Sequence, residues 1–126
     1  MHHPIINSDM PRPKSPYSQV FRADQLLFVS GQAGIDYATG KVVSQEFESQ
    51  ARKAFENLST VLQASGSSLA HVVKTTVFLG DPANFGMLNQ LFSEYFPKDP
   101  PARSTPITKL PIPELAISIE AVAVLP

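Results

Sequence analysis

A single arginine, Arg103, stands inside Pro100-Pro101-Ala102-Arg103-Ser104-Thr105-Pro106. A planar guanidinium meets a carboxylate through two parallel hydrogen bonds, a geometry that lysine cannot reproduce. The prolines fix φ and disfavour helix for the residues before them, so Arg103 is delivered on extended chain with little freedom left to lose. The ordinary reading of a lone arginine is an exposed surface ion pair, and the local sequence alone does not overturn it. A second ionisable residue stands out in Ala116–Val124, where Ile117, Ile119, Ala121 and Ala123 alternate with Ser118, Glu120, Val122 and Val124. A carboxylate inside an apolar strand must be paired, protonated or facing water, because stranding it in the interior costs several kcal/mol. Partnership with an arginine and a catalytic role are both open for Glu120. Asn89 follows Phe85 by four residues, beside an apolar helical stripe. It reads either as an amide bonded to a nearby loop backbone or as one facing a cavity.

Other chemistries are excluded by composition. There is no cysteine, hence no disulfide framework, no thiolate nucleophile and no Cys-ligated metal. His2 and His3 fall on what reads as a mobile tail, without partners at a ligating spacing, so no metal site is expected. Ten basic residues against eleven acidic ones leave a net charge of -1, with no excess to attract nucleic acid or an anionic membrane. The start lacks a secretory signal and no run of about 18 apolar residues occurs, so a cytoplasmic protein is expected.

The elements that must position these residues follow from periodicity. At 126 residues the chain reads as one domain, 1–126, with 1–14 an extended N-terminal tail and order beginning near Tyr17. Tyr17, Gln19 and Phe21 share a face of a first strand, and Arg22-Ala23-Asp24 turns it. Leu26–Ser30 is a buried strand ending in Gly31-Gln32, where glycine signals a bulge or close approach of a ligand. Asp36–Gly40 is a turn with a short strand after it. Phe47, Ala51, Ala54, Phe55, Leu58, Val61 and Leu62 lie on one face of a long helix that Gly66 terminates. His71–Leu79 is rich in β-branched residues and reads as a central strand. Asp81-Pro82 opens a second helix, with Asn84 the alternative cap, and that helix turns Phe85, Leu88, Phe92, Tyr95 and Phe96 inward. Pro106 lacks an N–H, which places the Arg103 strand at an edge or a bulge. Two helices can cover only one face of a single mixed sheet, so the other face is expected to meet copies of itself.

Taken in order, Pro16-Tyr17-Ser18-Gln19, Val29-Ser30-Gly31-Gln32, Gln50 with Asn57-Leu58, Val73–Leu79, Phe85 with Asn89, Phe96, Pro101-Ala102-Arg103-Ser104, Leu110-Pro111 and Ile119–Ala123 resemble the RidA/YjgF family of reactive intermediate (enamine/imine) deaminases. The resemblance spans nearly everything from Ser15 to Val124. It implies a chorismate-mutase-like α+β protomer and a homotrimer whose sheets enclose a central barrel, with active clefts between subunits. It also implies a cofactor-independent hydrolysis of 2-imino acids, formed from enamines released by pyridoxal-phosphate dehydratases, to 2-keto acids and ammonia.

On that resemblance Arg103 grips the substrate carboxylate, and Glu120 positions the attacking water. Tyr17 supplies a hydroxyl at the mouth, Ser30 and Gly31 line the cleft at a strand end, and Asn89 supplies an inward amide. Thr105 stands where many members carry cysteine, so a role through its backbone N–H survives but a thiol role does not. Ser15 replaces a glycine common before Pro-Tyr. Two alternatives accompany this reading: a non-catalytic trimer that binds 2-keto acids, and a specialised deaminase of the aminomuconate type. An RNA-cleaving activity, attached to some relatives, is disfavoured by the balanced charge and the lack of a histidine pair.

Overall fold

The computed structural model describes all 126 residues. Its strands are β1 (His2–Ile5), β2 (Val20–Ala23), β3 (Leu26–Ala33), β4 (Ile35–Asp36), β5 (Lys41–Val42), β6 (Val72–Leu79), β7 (Ala102–Ser104) and β8 (Ile117–Val124), with helices α1 (Phe47–Ala64) and α2 (Phe85–Tyr95). Six strands form one sheet in the order β1-β2-β3-β8-β6-β7, and β4 and β5 form a separate hairpin. Every pairing in the large sheet is antiparallel except β6 with β7. A parallel neighbour requires a crossover, and α2 provides it. Both helices cover one face, giving the expected α+β arrangement on a mixed sheet. No helix is long and apolar enough to cross a membrane.

The 3.6-residue spacing decides which side of α1 goes inside. Ala51, Ala54, Phe55, Leu58, Val61 and Leu62 are buried, and Gly66 ends the helix with φ +87°, a conformation that a Cβ disfavours. Phe55 is the hub between the helices, with ring centroids 4.5 Å from Tyr95 and 6.2 Å from both Phe92 and Phe96. On β8 the alternation holds, with Ile117, Ile119, Ala121 and Ala123 all buried. The opposite face carries a cross-strand row of Phe21, Phe28, Val122 and Lys74, in which both phenylalanines are exposed.

Several expectations are corrected. Order begins at His2, because β1 pairs with β2 along its whole length and the terminal amine bonds the Asp24 carboxylate at 3.0 Å. His2 therefore lies in the sheet, stacked on Phe21. The first strand after the tail starts at Val20, not Tyr17. Val20 takes the core side while Gln19 is buried for its hydrogen bonds, so Tyr17, Gln19 and Phe21 do not share a face. The turn is Asp24-Gln25, with Arg22 and Ala23 still in β2 and Ala23 paired with Leu26. Asp81 opens a 3-10 turn over Pro82–Asn84 by accepting from the Ala83 N–H, and α2 begins at Phe85 with the alternative, Asn84, in the N-cap position but making no side-chain cap bond. Phe85 faces outward rather than inward. β6 lies one place from the edge, and β8 holds a more central position.

Candidate active site

Arg103 sits on the edge strand β7, opposite Thr75 of β6, which in turn pairs with Ala121. Thr75 and Ala121 are buried on the helix-covered face, and Arg103 projects to that same side. Its guanidinium carbon lies 4.8 Å from the Phe92 ring centroid and 5.5 Å from that of Phe85. Nη2 donates to the Asn89 Oδ1 at 2.8 Å. Phe85, Asn89 and Phe92 fall at i, i+4 and i+7 on α2, so one face of the helix builds the seat. Contacts of this kind are worth about 0.5–2 kcal/mol each, more as water is excluded. Burial draws the Arg103 pKa below its ordinary value, although a guanidinium stays charged throughout the working range.

The ordinary reading of Arg103 fails at this point, because no carboxylate lies within salt-bridge distance of it. The comparison with Arg52 is direct: that side chain holds Glu48 at 3.0 Å and Glu94 at 2.8 Å. Arg103 has been fixed in orientation by an amide and two rings while most of its five donors are left for something else. The space beside it is a cleft of about 370 Å³ lined by Asn89, Phe92, Phe96, Pro97, Pro100 and Arg103. Asn89 itself is exposed, which corrects the expectation of an amide turned toward apolar surroundings; its carbonyl is committed to Arg103.

Glu120 occupies a different place. It pairs in register with Thr76, whose β7 neighbour is Ser104, and it is exposed on the open face of the sheet. Of the alternatives the sequence leaves for a carboxylate there, the single chain takes the one facing water. A second cleft, about 410 Å³, gathers Tyr17, Ser30, Lys74, Thr76 and Glu120. Tyr17 is half exposed, and a further cavity beneath the N-terminal segment shares it. Lys74 reaches across to donate to the Ser104 Oγ at 3.2 Å.

Ser30 is held on three sides. Its N–H donates to the Gln19 carbonyl at 2.9 Å, its Oγ donates to the Ser18 carbonyl at 2.6 Å, and its own carbonyl accepts from Gln32 Nε2 at 3.1 Å. With its proton spent, the Ser30 hydroxyl can offer the cleft only lone pairs. The β3–β8 register shifts between Val29 and Gln32, which is the bulge that glycine signalled. A Cβ on Gly31 would stand 2.6 Å from the Ser118 Oγ, a contact that rotation of that hydroxyl would relieve. Thr105 follows β7, half-buried.

The proposed site residues therefore fall into two groups within one chain: Arg103 with Asn89 on the helix side, and Tyr17, Ser30 and Glu120 on the open face. Phe92 is core as the sequence reads it, Phe85 is exposed, and together they are the platform for Arg103; their spacing around Asn89 carried that signal. Lys74 and Thr76 carried none beyond strand propensity.

Residues 7–125 match the family model described as Endoribonuclease L-PSP. This chain belongs to that family, the RidA/YjgF/RutC family. A RutC family protein of Pyrococcus horikoshii is 39% identical over 124 residues, covering 98% of each chain. The 2-iminobutanoate/2-iminopropanoate deaminase of Homo sapiens is 36% identical over 121 residues, covering 95% of this chain and 88% of the human one. Among solved structures, E. coli TdcF with bound serine superposes with a TM-score of 0.86 at 29% identity, covering 98% of this chain and 99% of that one. The two-helix, mixed-sheet protomer is thus the RidA/YjgF fold.

Proposed function

We propose that this member of the RidA/YjgF family hydrolyses 2-imino acids to 2-keto acids and ammonia, in clefts that a second copy of the chain completes. The observation that carries the reading is Arg103: a partly desolvated guanidinium, oriented by Asn89, Phe85 and Phe92, with no carboxylate of its own. A small carboxylate-bearing ligand is the partner such a group lacks. The deaminase name of the human relative and the amino acid bound to TdcF support that ligand class.

A protonated 2-imino acid is already a strong electrophile, so the protein has mainly to orient it and place a water. Arg103 holds the carboxylate through paired hydrogen bonds. Glu120 accepts a proton from the attacking water as its oxygen bonds to the imine carbon, giving a tetrahedral aminoalcohol. Glu120 then returns that proton to nitrogen, the C–N bond breaks with its electron pair leaving on ammonia, and the hydroxyl collapses to the keto group as it gives its own proton to Glu120, which passes it to the departing ammonia to leave as ammonium. Tyr17 stands at the mouth, Ser30 accepts a hydrogen bond from the iminium N–H, and Gly31, Asn89 and Thr105 shape the remainder.

Arg103 and Glu120 cannot meet one small molecule within a single chain, since the sheet separates them. Association of three copies through the open face, with its exposed Phe21, Phe28 and Leu26, brings the Arg103 edge of one copy to the Glu120 face of another. The deciding experiment feeds amino acids through an amino-acid oxidase to make their imines and follows the rate of imine loss with and without the protein. Accelerated hydrolysis supports the enzyme; keto-acid binding without turnover would make it a binding trimer instead.

A further inference from the structure

Behind the Ser30 edge of the cleft lies a buried chain of hydrogen bonds that the reaction above does not use. Gln32 is fully buried and Gln19 nearly so. Gln32 Nε2 donates both to the Gln19 Oε1, at 2.9 Å, and to the Ser30 carbonyl, at 3.1 Å. The Gln32 Oε1 accepts from the hydroxyl of Tyr37, a residue in the turn between β4 and β5 that is 37% exposed while its hydroxyl reaches in to this part-buried bond. These bonds permit only one amide orientation. Were the Gln32 amide reversed, its oxygen would face the oxygens of Gln19 and Ser30, and a buried repulsion of that kind is far costlier than a lost hydrogen bond.

We propose that Tyr37 is a positioning residue for the cleft: by donating to Gln32 it fixes that amide, and through it the Ser30 carbonyl and the Ser30–Gly31 bulge. The location of the bulge makes this matter. Ser30 and Gly31 lie where the β3–β8 ladder shifts register, so regular pairing with β8 does not hold them; β2 ties the Ser30 N–H and hydroxyl through the Gln19 and Ser18 carbonyls, and the Gln19–Gln32–Tyr37 chain holds the Ser30 carbonyl. Tyr37 touches no substrate on this view and acts entirely through Gln32. Its effect on turnover rests on the deaminase reading; its effect on the bulge does not.

The test compares the wild type, Tyr37→Phe, Gln32→Ala and the double variant in the intact protein. Backbone hydrogen exchange at residues 30–32 reads the bulge, kcat and KM for imine hydrolysis read the cleft, and thermal unfolding reads the scaffold. Tyr37→Phe should speed exchange at Gly31 and Gln32 and lower kcat about tenfold, the scale of a sub-ångström misplacement. KM should move less than about twofold, because Arg103 still holds the carboxylate. In the Gln32→Ala background the Tyr37→Phe change should add nothing, as groups acting in series do not add. Unchanged exchange in Tyr37→Phe overturns the proposal, as does a kcat equal to the parent's or full additivity with Gln32→Ala. A wild type that hydrolyses no imine defeats the deaminase reading on its own, and exchange then still decides whether Tyr37 holds the bulge.

Discussion

Arg103 and Glu120 lie on opposite faces of the same sheet, although their strands are separated only by β6: Arg103 stands beside Thr75 on the helix-covered side and Glu120 beside Thr76 on the open side. Any molecule touching both must lie between two copies of the chain. Equal mixing and co-refolding of Arg103→Ala with Glu120→Gln should therefore restore about a quarter of the parent activity, the share of sites receiving an intact residue from each neighbour in a closed symmetric ring. Activity no higher than that of either parent variant would place both groups in one chain.

Light scattering should give about three times the chain mass of 13.7 kDa, constant on modest dilution, since an interface built on a sheet face dissociates reluctantly. A stable monomer would remove the cleft along with the assembly.

Arg103→Ala should weaken keto-acid binding measured by calorimetry by several kcal/mol at most, given about 1.5–3 kcal/mol for each hydrogen bond to a charged group. Arg103→Lys should fall between it and the parent, keeping the charge but not the fork. Arg103→Ala should lower the unfolding temperature modestly through the lost contacts with Phe92, Phe85 and Asn89, but both variants should stay folded because Arg103 has no ion-pair partner to strand. Loss of folding in place of loss of binding would make the residue part of the scaffold.

Glu120→Gln should leave the assembly and keto-acid affinity intact while lowering kcat by roughly 10²-fold, the usual scale for a group assisting proton transfer. An unchanged kcat would leave Glu120 without a part in the chemistry.

Alkaline stability should carry a signature of Tyr37. Burial raises its pKa, outweighing the Gln19 amide that favours the phenolate, and Tyr17 nearby adds to the rise. The unfolded phenol titrates near about 10 and the folded one above that. The native state thus holds the proton more tightly, and the associated stability is fully present below about pH 10 and lost as pH rises through the folded pKa. Unfolding followed from about pH 8 upward should show this loss in the wild type and less of it in Tyr37→Phe; identical profiles would mean that burial does not hold the phenol.

What sequence could read was local and periodic. The apolar face of α1, its glycine stop, the alternation of β8 and the edge position of Arg103 all depend on spacing within one element. What it could not read depended on partners far along the chain. His2–Ile5 reads as tail, yet an edge strand tolerates its Pro4, and β2 supplies the pairing. Gln19 upset the period of the first strand because its burial is owed to Gln32. Phe85 and Asn89 read as inward-facing because the group they serve, Arg103, lies fourteen residues beyond Asn89. The separation of Arg103 from Glu120 likewise emerges only when β6 and β8 are set side by side.

The central place of β8 has a consequence for how the protein is made. This strand, residues 117–124, lies between β3 and β6, so both halves of the sheet wait for it. During synthesis β3, α1 and β6 leave the ribosome without the strand that joins them, and their apolar edges stay open until residue 124 has emerged. Contacts of such long sequence separation form slowly, and exposed strand edges attract other chains in the meantime. A protein completed in this way gains its sheet in one late step, and shortening β8 should send nascent chains toward aggregates rather than toward a smaller folded form.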